Sequence, residues 1–101
     1  MIKISIFDII SVLKDIYDPE ITIDIYELGL IYDIRIENNN IIKIIMTLTT
    51  PNCPVADILP NEVKFKIFKI KNVKNVEVIL TFYPNWTYEM MSEVARLELT
   101  L

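Results

Sequence analysis

Apolar residues recur at helical spacing near the start of the chain, where Ile6, Ile9, Ile10, Leu13 and then Ile16 or Tyr17 share one side of a 3.6-residue repeat. Ser5 stands before them and Asp8 three residues later, a hydroxyl cap with an acid near the positive end of the helix dipole. The pattern predicts a first helix that stops before Asp18-Pro19, because a residue preceding proline is pushed out of the α region. From Glu20 to Ile31 the period is lost, and the chain's one glycine, Gly29, lies in that stretch. In so glycine-poor a sequence it marks a positive φ or a close backbone approach.

Tyr32-Asp33-Ile34-Arg35-Ile36-Glu37 alternates strictly, as a half-buried strand does. Asn38-Asn39-Asn40 is a turn signal, since asparagine tolerates the left-handed region. Ile41 to Thr49 resumes as a longer, β-branched strand, so the two make a hairpin. Thr50-Pro51-Asn52-Cys53-Pro54 breaks it. Val55 to Ile70 reads as helical, with Val63, Ile67 and Ile70 on one face. Pro60 predicts a kink, or two short helices with the proline near the start of the second. After a turn at Asn72 to Asn75, Val76 to Phe82 is the third strand. Tyr83 to Trp86 is a loop, and Thr87 is expected to cap a last helix. The order α-β-β-α-β-α predicts a two-layer α+β domain over residues 1–101, a three-stranded mixed sheet with helices mainly on one face. No repeat, linker or low-complexity segment interrupts it.

Composition agrees with a folded chain: of 101 residues, 52% are hydrophobic and 24% charged. A net charge of −4 supplies no general attraction for nucleic acid. Lys64, Lys66, Lys69, Lys71 and Lys74 nevertheless cluster. The bland reading is a solvated helix face and its exit turn; the sharper one is a docking patch for an acidic protein. No leader pattern and no apolar run near membrane-spanning length is evident, so the expectation is a cytoplasmic protein off the membrane.

The chemistry is bounded by absences. Without histidine, a Ser-His-Asp or Cys-His arrangement within one chain is excluded, and with one cysteine so are an internal disulfide and a self-contained zinc ribbon. One glycine cannot make a glycine-rich phosphate loop. The expectation is a protein that is not an enzyme. Cys53 remains. A lone cysteine is commonly a small buried hydrophobe, but this one lies between two prolines at a strand-to-helix junction, among Thr49, Thr50 and Asn52. A helix N-terminus favours thiolate over thiol, and thiolate is the form that binds soft metals and iron–sulfur clusters. Glu20, in Asp18-Pro19-Glu20, is a candidate companion as metal ligand or thiol partner, against a plain reading as a solvated acid at a helix end. Asp57, one helical turn after Cys53, is a weaker candidate. The loop Tyr83-Pro84-Asn85-Trp86 either fills core area or flanks the cysteine pocket.

Four segments in order then carry a resemblance: Asp18-Pro19-Glu20; Glu27-Leu28-Gly29-Leu30-Ile31-Tyr32; Thr47-Leu48-Thr49-Thr50-Pro51-Asn52-Cys53-Pro54; and Pro84-Asn85-Trp86-Thr87. The chain resembles the SufT/PaaD-like family of metal–sulfur cluster assembly effectors, from about Val12 to the C-terminus. The resemblance implies an α+β iron–sulfur assembly fold and a role in maturing iron–sulfur proteins as carrier, adaptor or targeting factor. It makes Cys53 the reactive cysteine, Glu20 its usual companion, and Thr49 or Thr50 the family's threonine. Asn52 stands where glycine is usual, and Glu27 replaces the commoner aspartate. A cysteine-rich C-terminal segment of PaaD-like members is missing from the 101 residues, which favours the short, SufT-like branch. One thiolate cannot hold a cluster that takes four ligands. A transient cluster or iron is therefore expected between chains, in a homodimer or with assembly proteins and client apo-proteins. The rival reading is an interaction adaptor whose cysteine is structural.

Overall fold

The computed structural model describes residues 4–19, 21–49 and 58–100, with the side chains of Asn39 and Thr100 left aside. Its elements are α1 (Ile6–Leu13), β1 (Ile31–Glu37), a 3₁₀ turn (Asn38–Asn40), β2 (Ile41–Met46), α2 (Ile58–Phe68), β3 (Asn75–Leu80), a second 3₁₀ turn (Tyr88–Met90) and α3 (Glu93–Thr100). This is the α+β order read from the sequence.

Helix α1 starts as expected. The Ser5 hydroxyl accepts from the Phe7 N–H at 3.1 Å, and the Asp8 carboxylate accepts from the Ser5 N–H at 3.4 Å. It ends earlier than the apolar period suggested. Ile16 is fully buried yet lies beyond the helix, because its carbonyl accepts from the Ile25 N–H at 2.8 Å and the Asp18 N–H reaches the Ile23 carbonyl at 3.1 Å. Those bonds need extended backbone, so the helix stops first.

In the sheet β2 is central, antiparallel to β1 and parallel to β3. Register sets Ile34 and Ile36 opposite Ile44 and Ile42, and sets Ile42, Ile44 and Met46 opposite Val76, Val78 and Leu80. The two-residue period sends Ile42, Ile44 and Met46 into the core, all fully buried. Lys43 points the other way, 3.8 Å from Glu37 and 3.5 Å from Glu77. Strand β2 ends at Met46 rather than Thr49. The Thr47 N–H bonds to the Leu30 carbonyl at 2.8 Å and the Met46 carbonyl accepts from Thr81 N–H at 2.8 Å, so loops take over the backbone partners.

The crossover from β2 to β3 runs through α2, which buries Leu59, Val63 and Ile67 at i, i+4 and i+8 in the core. Pro60 sits in the first described turn of α2. The cap of α3 differs from expectation. Thr87 precedes the second 3₁₀ turn and makes no side-chain cap bond, while Ser92 accepts from the Ala95 N–H at 3.1 Å. The intervening turn carries Met91 into the core before α3 begins.

Candidate functional site

Cys53, Glu20 and Asp57, with Thr50, lie outside the described residues. What the structure describes is the frame from which the 50–57 segment departs at Thr49 and to which it returns at Ile58. That frame is the carboxyl end of the central strand on one side and α2 on the other. The parallel partner β3 ends at the same edge, with Leu80 opposite Met46. Thr47 and Leu48 are buried, and Thr49 is half-buried as the chain leaves the core.

Three other stretches converge on this edge. Gly29 has φ 80°. A Cβ there would overlap the Met90 carbonyl oxygen and come within 2.8 Å of its carbon, so the expected positive φ and the expected close approach coincide. The Trp86 indole N–H donates to the Leu28 carbonyl at 2.7 Å, and the Tyr32 hydroxyl donates to the Pro84 carbonyl at 2.7 Å. Ser92 N–H donates to the Glu27 carbonyl at 2.8 Å. The Tyr83–Trp86 loop is thus anchored on the 28–32 stretch, with the Trp86 and Tyr88 rings edge to face at 5.2 Å. Tyr83 itself is exposed.

Asp18 differs from its sequence reading. Only 2% of it is exposed, and its carboxylate accepts from the Ile21 N–H at 3.1 Å while its carbonyl accepts from Thr22 N–H at 2.9 Å. Asp18-Pro19 therefore builds a closed turn well past α1 instead of terminating that helix. The signal was available, because aspartate two to three residues before free backbone N–H groups favours such a turn. Next along, burial pushes the Asp24 carboxyl above the ordinary aspartate range and the nearby Glu27 charge adds to the effect, against the Glu27 backbone N–H that donates to it at 2.9 Å. Lys14 lies 3.7 Å from the Glu27 carboxylate.

Among the described residues no three His, Cys, Asp or Glu side chains are grouped to hold a metal. Sequence reasoning also missed the outer side of α2. Ile58, Phe65 and Phe68 are exposed there, although Leu59, Val63 and Ile67 already fill the inner side. Apolar residues on both sides of an eleven-residue helix were visible in the sequence.

Residues 7–78 match the profile of a family described as iron-sulfur cluster assembly protein. A Porphyromonas gingivalis protein named Fe-S protein maturation auxiliary factor is 47% identical over 91% of this chain and 88% of its own length. The Bacillus subtilis Fe-S protein maturation auxiliary factor YitW is 38% identical over 91% of this chain and 90% of its own. Among solved structures, a Bacillus anthracis domain of unknown function superposes with a TM-score of 0.89 at 33% identity, covering 94% of this chain and 91% of that one. A Thermotoga maritima conserved hypothetical protein gives 0.83 at 42%, covering 98% and 97%. By fold and by sequence over most of its length, this chain belongs to the iron–sulfur cluster assembly protein family.

Proposed function

We propose that this protein is a non-enzymatic accessory factor that passes an iron–sulfur cluster, or iron, to client apo-proteins, with Cys53 as the thiolate that holds the cargo in transit. Membership of the assembly family supports the pathway. The observation that carries the residue-level reading is the position of the chain's one cysteine, in the segment joining the carboxyl end of the central strand to α2. Ligands of open α/β sheets collect at such strand ends, and loops held by a rigid frame are where binding residues concentrate. Glu20 is the candidate second ligand and Asp57 a weaker one. Because a cluster takes four ligands, the other positions fall to a second copy, an assembly protein, a client or small thiols. The cargo is a substrate in passage, which agrees with a single thiolate. The work is assigned to the cytoplasm, away from membrane and nucleic acid. Among the described residues no helix is long and apolar enough to cross a membrane.

The test is Cys53→Ser. In cells, the activity of client iron–sulfur enzymes is expected to fall to the level of a strain lacking the protein. In vitro, anaerobic reconstitution with iron and sulfide should give visible cluster absorbance with the unaltered chain and not with the variant. Undiminished client activity removes the reading. A Cys53 that stays inert to thiol reagents in the folded protein would instead favour the adaptor role.

A further inference from the structure

Helix α2 carries a second apolar ridge that the core does not use. Ile58, Phe65 and Phe68 recur at i, i+7 and i+10, on the side opposite Leu59, Val63 and Ile67, and are 62%, 60% and 53% exposed. With Asn61, Lys64 and Asn75, the two phenylalanines line a groove of about 280 Å³ between α2 and the start of β3. Cations border the ridge. Lys64 stands on one flank, and on the other Lys69 lies 4.3 Å above the Phe65 ring. Lys66 is engaged with Glu62 at 2.8 Å. Half of the chain's ten Lys and Arg lie between Lys64 and Lys74, in a molecule of net charge −4. Exposed aromatic rings gathered in one groove and rimmed by polar residues are the kind of surface on which a folded protein takes a partner.

We infer that this face docks an acidic amphipathic helix of a partner protein, its leucine-type residues seated between Phe65 and Phe68 and its carboxylates against Lys64 and Lys69. Charge decides the occupant. Two copies meeting through this face would bring Lys64 and Lys69 of each against those of the other, so an isologous pair is disfavoured. Helix-in-groove recognition reads anchors at i, i+3, i+4 and i+7, and rim charges select the partner's sign. The groove lies towards the far end of α2, beside the start of β3, whose Asn75 pairs with Ile41 at the hairpin end of the sheet. The inference stands on the α2 surface alone and does not rest on the thiol's role.

The test uses the full chain with two synthetic helical peptides, one with leucine at the anchor positions flanked by glutamates and the other its lysine-for-glutamate copy. The acidic peptide should shift backbone amide resonances of residues 58–75 and bind at least about tenfold more tightly than the lysine peptide at low salt, the advantage shrinking as salt rises. Phe65→Ser with Phe68→Ser, both surface changes, should weaken binding by about tenfold or more with the melting temperature kept. Lys64→Glu with Lys69→Glu should reverse the preference between peptides. Cys53→Ser should leave peptide binding intact while abolishing cluster absorbance, which separates the two proposals. Equal binding of both peptides, or shifts that map away from α2, overturns the inference. So does Phe65-dependent binding to vesicles of equimolar phosphatidylcholine and phosphatidylglycerol, which would make the face a membrane contact. Phe65-dependent self-association in sedimentation would assign it to a second copy and equally overturn the inference.

Discussion

At one end of the sheet, β1 and β2 are joined by Asn38–Asn40, with Asn40 at φ 60° and its carbonyl taken by the Lys74 N–H at 3.0 Å. Glu37, Asn38 and the neighbouring Lys71 and Lys74 are exposed, and the joint is made by residues adjacent in sequence. The other end is built differently. There the central strand opens into the segment bearing Cys53, and its surroundings are tied by single contacts between residues more than fifty positions apart: Trp86 to Leu28, Tyr32 to Pro84, Gly29 against Met90. A hairpin needs local chemistry alone. A frame of long-range contacts, by contrast, becomes rigid only once the whole chain is folded.

The contrast can be broken most severely at Gly29. Alanine there meets both a left-handed backbone and the Met90 carbonyl, and either main chain or loop must move. A loss of at least about 3 kcal/mol is expected, seen as a fall of roughly 2 M in the urea midpoint. If Gly29→Ala melts like the parent, the Met90 approach does not constrain this end.

Trp86→Phe keeps most of the ring but leaves the Leu28 carbonyl without its donor, a change of about 1–2 kcal/mol. Hydrogen exchange should quicken at the Thr47 amide, whose acceptor Leu30 adjoins that segment, and stay unchanged at the amides of the hairpin. At the opposite end Asn40→Ala should cost about 1 kcal/mol, because alanine resists positive φ, and Asn40→Gly should cost close to nothing. Its exchange signature should be confined to the hairpin and the Lys74 amide, whose acceptor is the Asn40 carbonyl. Should Asn40→Ala loosen Thr47 as much as Trp86→Phe does, the two ends are one cooperative unit and the contrast fails.

How legible each end was in the sequence follows the same division. The hairpin could be read because alternation and three asparagines act within a few residues. Gly29 could be read as special, yet its neighbour Met90 lies 61 positions on, and no local pattern names it. The end of α1 was misplaced because Ile16 continues the helical period while its backbone pairs with Ile25, a non-local demand that outweighed propensity. Thr87 looked like a cap on local grounds, but Ser92 caps α3, since burying Met91 requires an extra turn. Asp18 was read only as part of a helix stop, because its burial depends on segments the dipeptide does not reveal. At the candidate site, the motif around Cys53 was visible from residue types alone, whereas the apolar outer side of α2 was overlooked because a single buried face was assumed.

The smallest effect concerns Asp24, which shapes the turn leading to Gly29 by accepting from the Glu27 N–H. Burial raises its carboxyl above the ordinary aspartate value of 3.8. The folded state therefore holds this proton more tightly than the unfolded state. The stability that Asp24 contributes is complete below that ordinary value, and it is lost as pH rises through the higher folded value. Above that point it stays constant. Asparagine cannot ionise and can still accept from the Glu27 N–H. Measured against pH, the stability of Asp24→Asn minus that of the parent should therefore climb from below pH 3.8 through the folded value and then level off. A difference that moves the other way would mean that the Glu27 N–H and Lys14 favour the charged carboxylate more than burial opposes it. The Cys53 end would then owe part of its order to electrostatics at this turn, and the distinction between the two ends would narrow to the long-range contacts of Gly29 and Trp86.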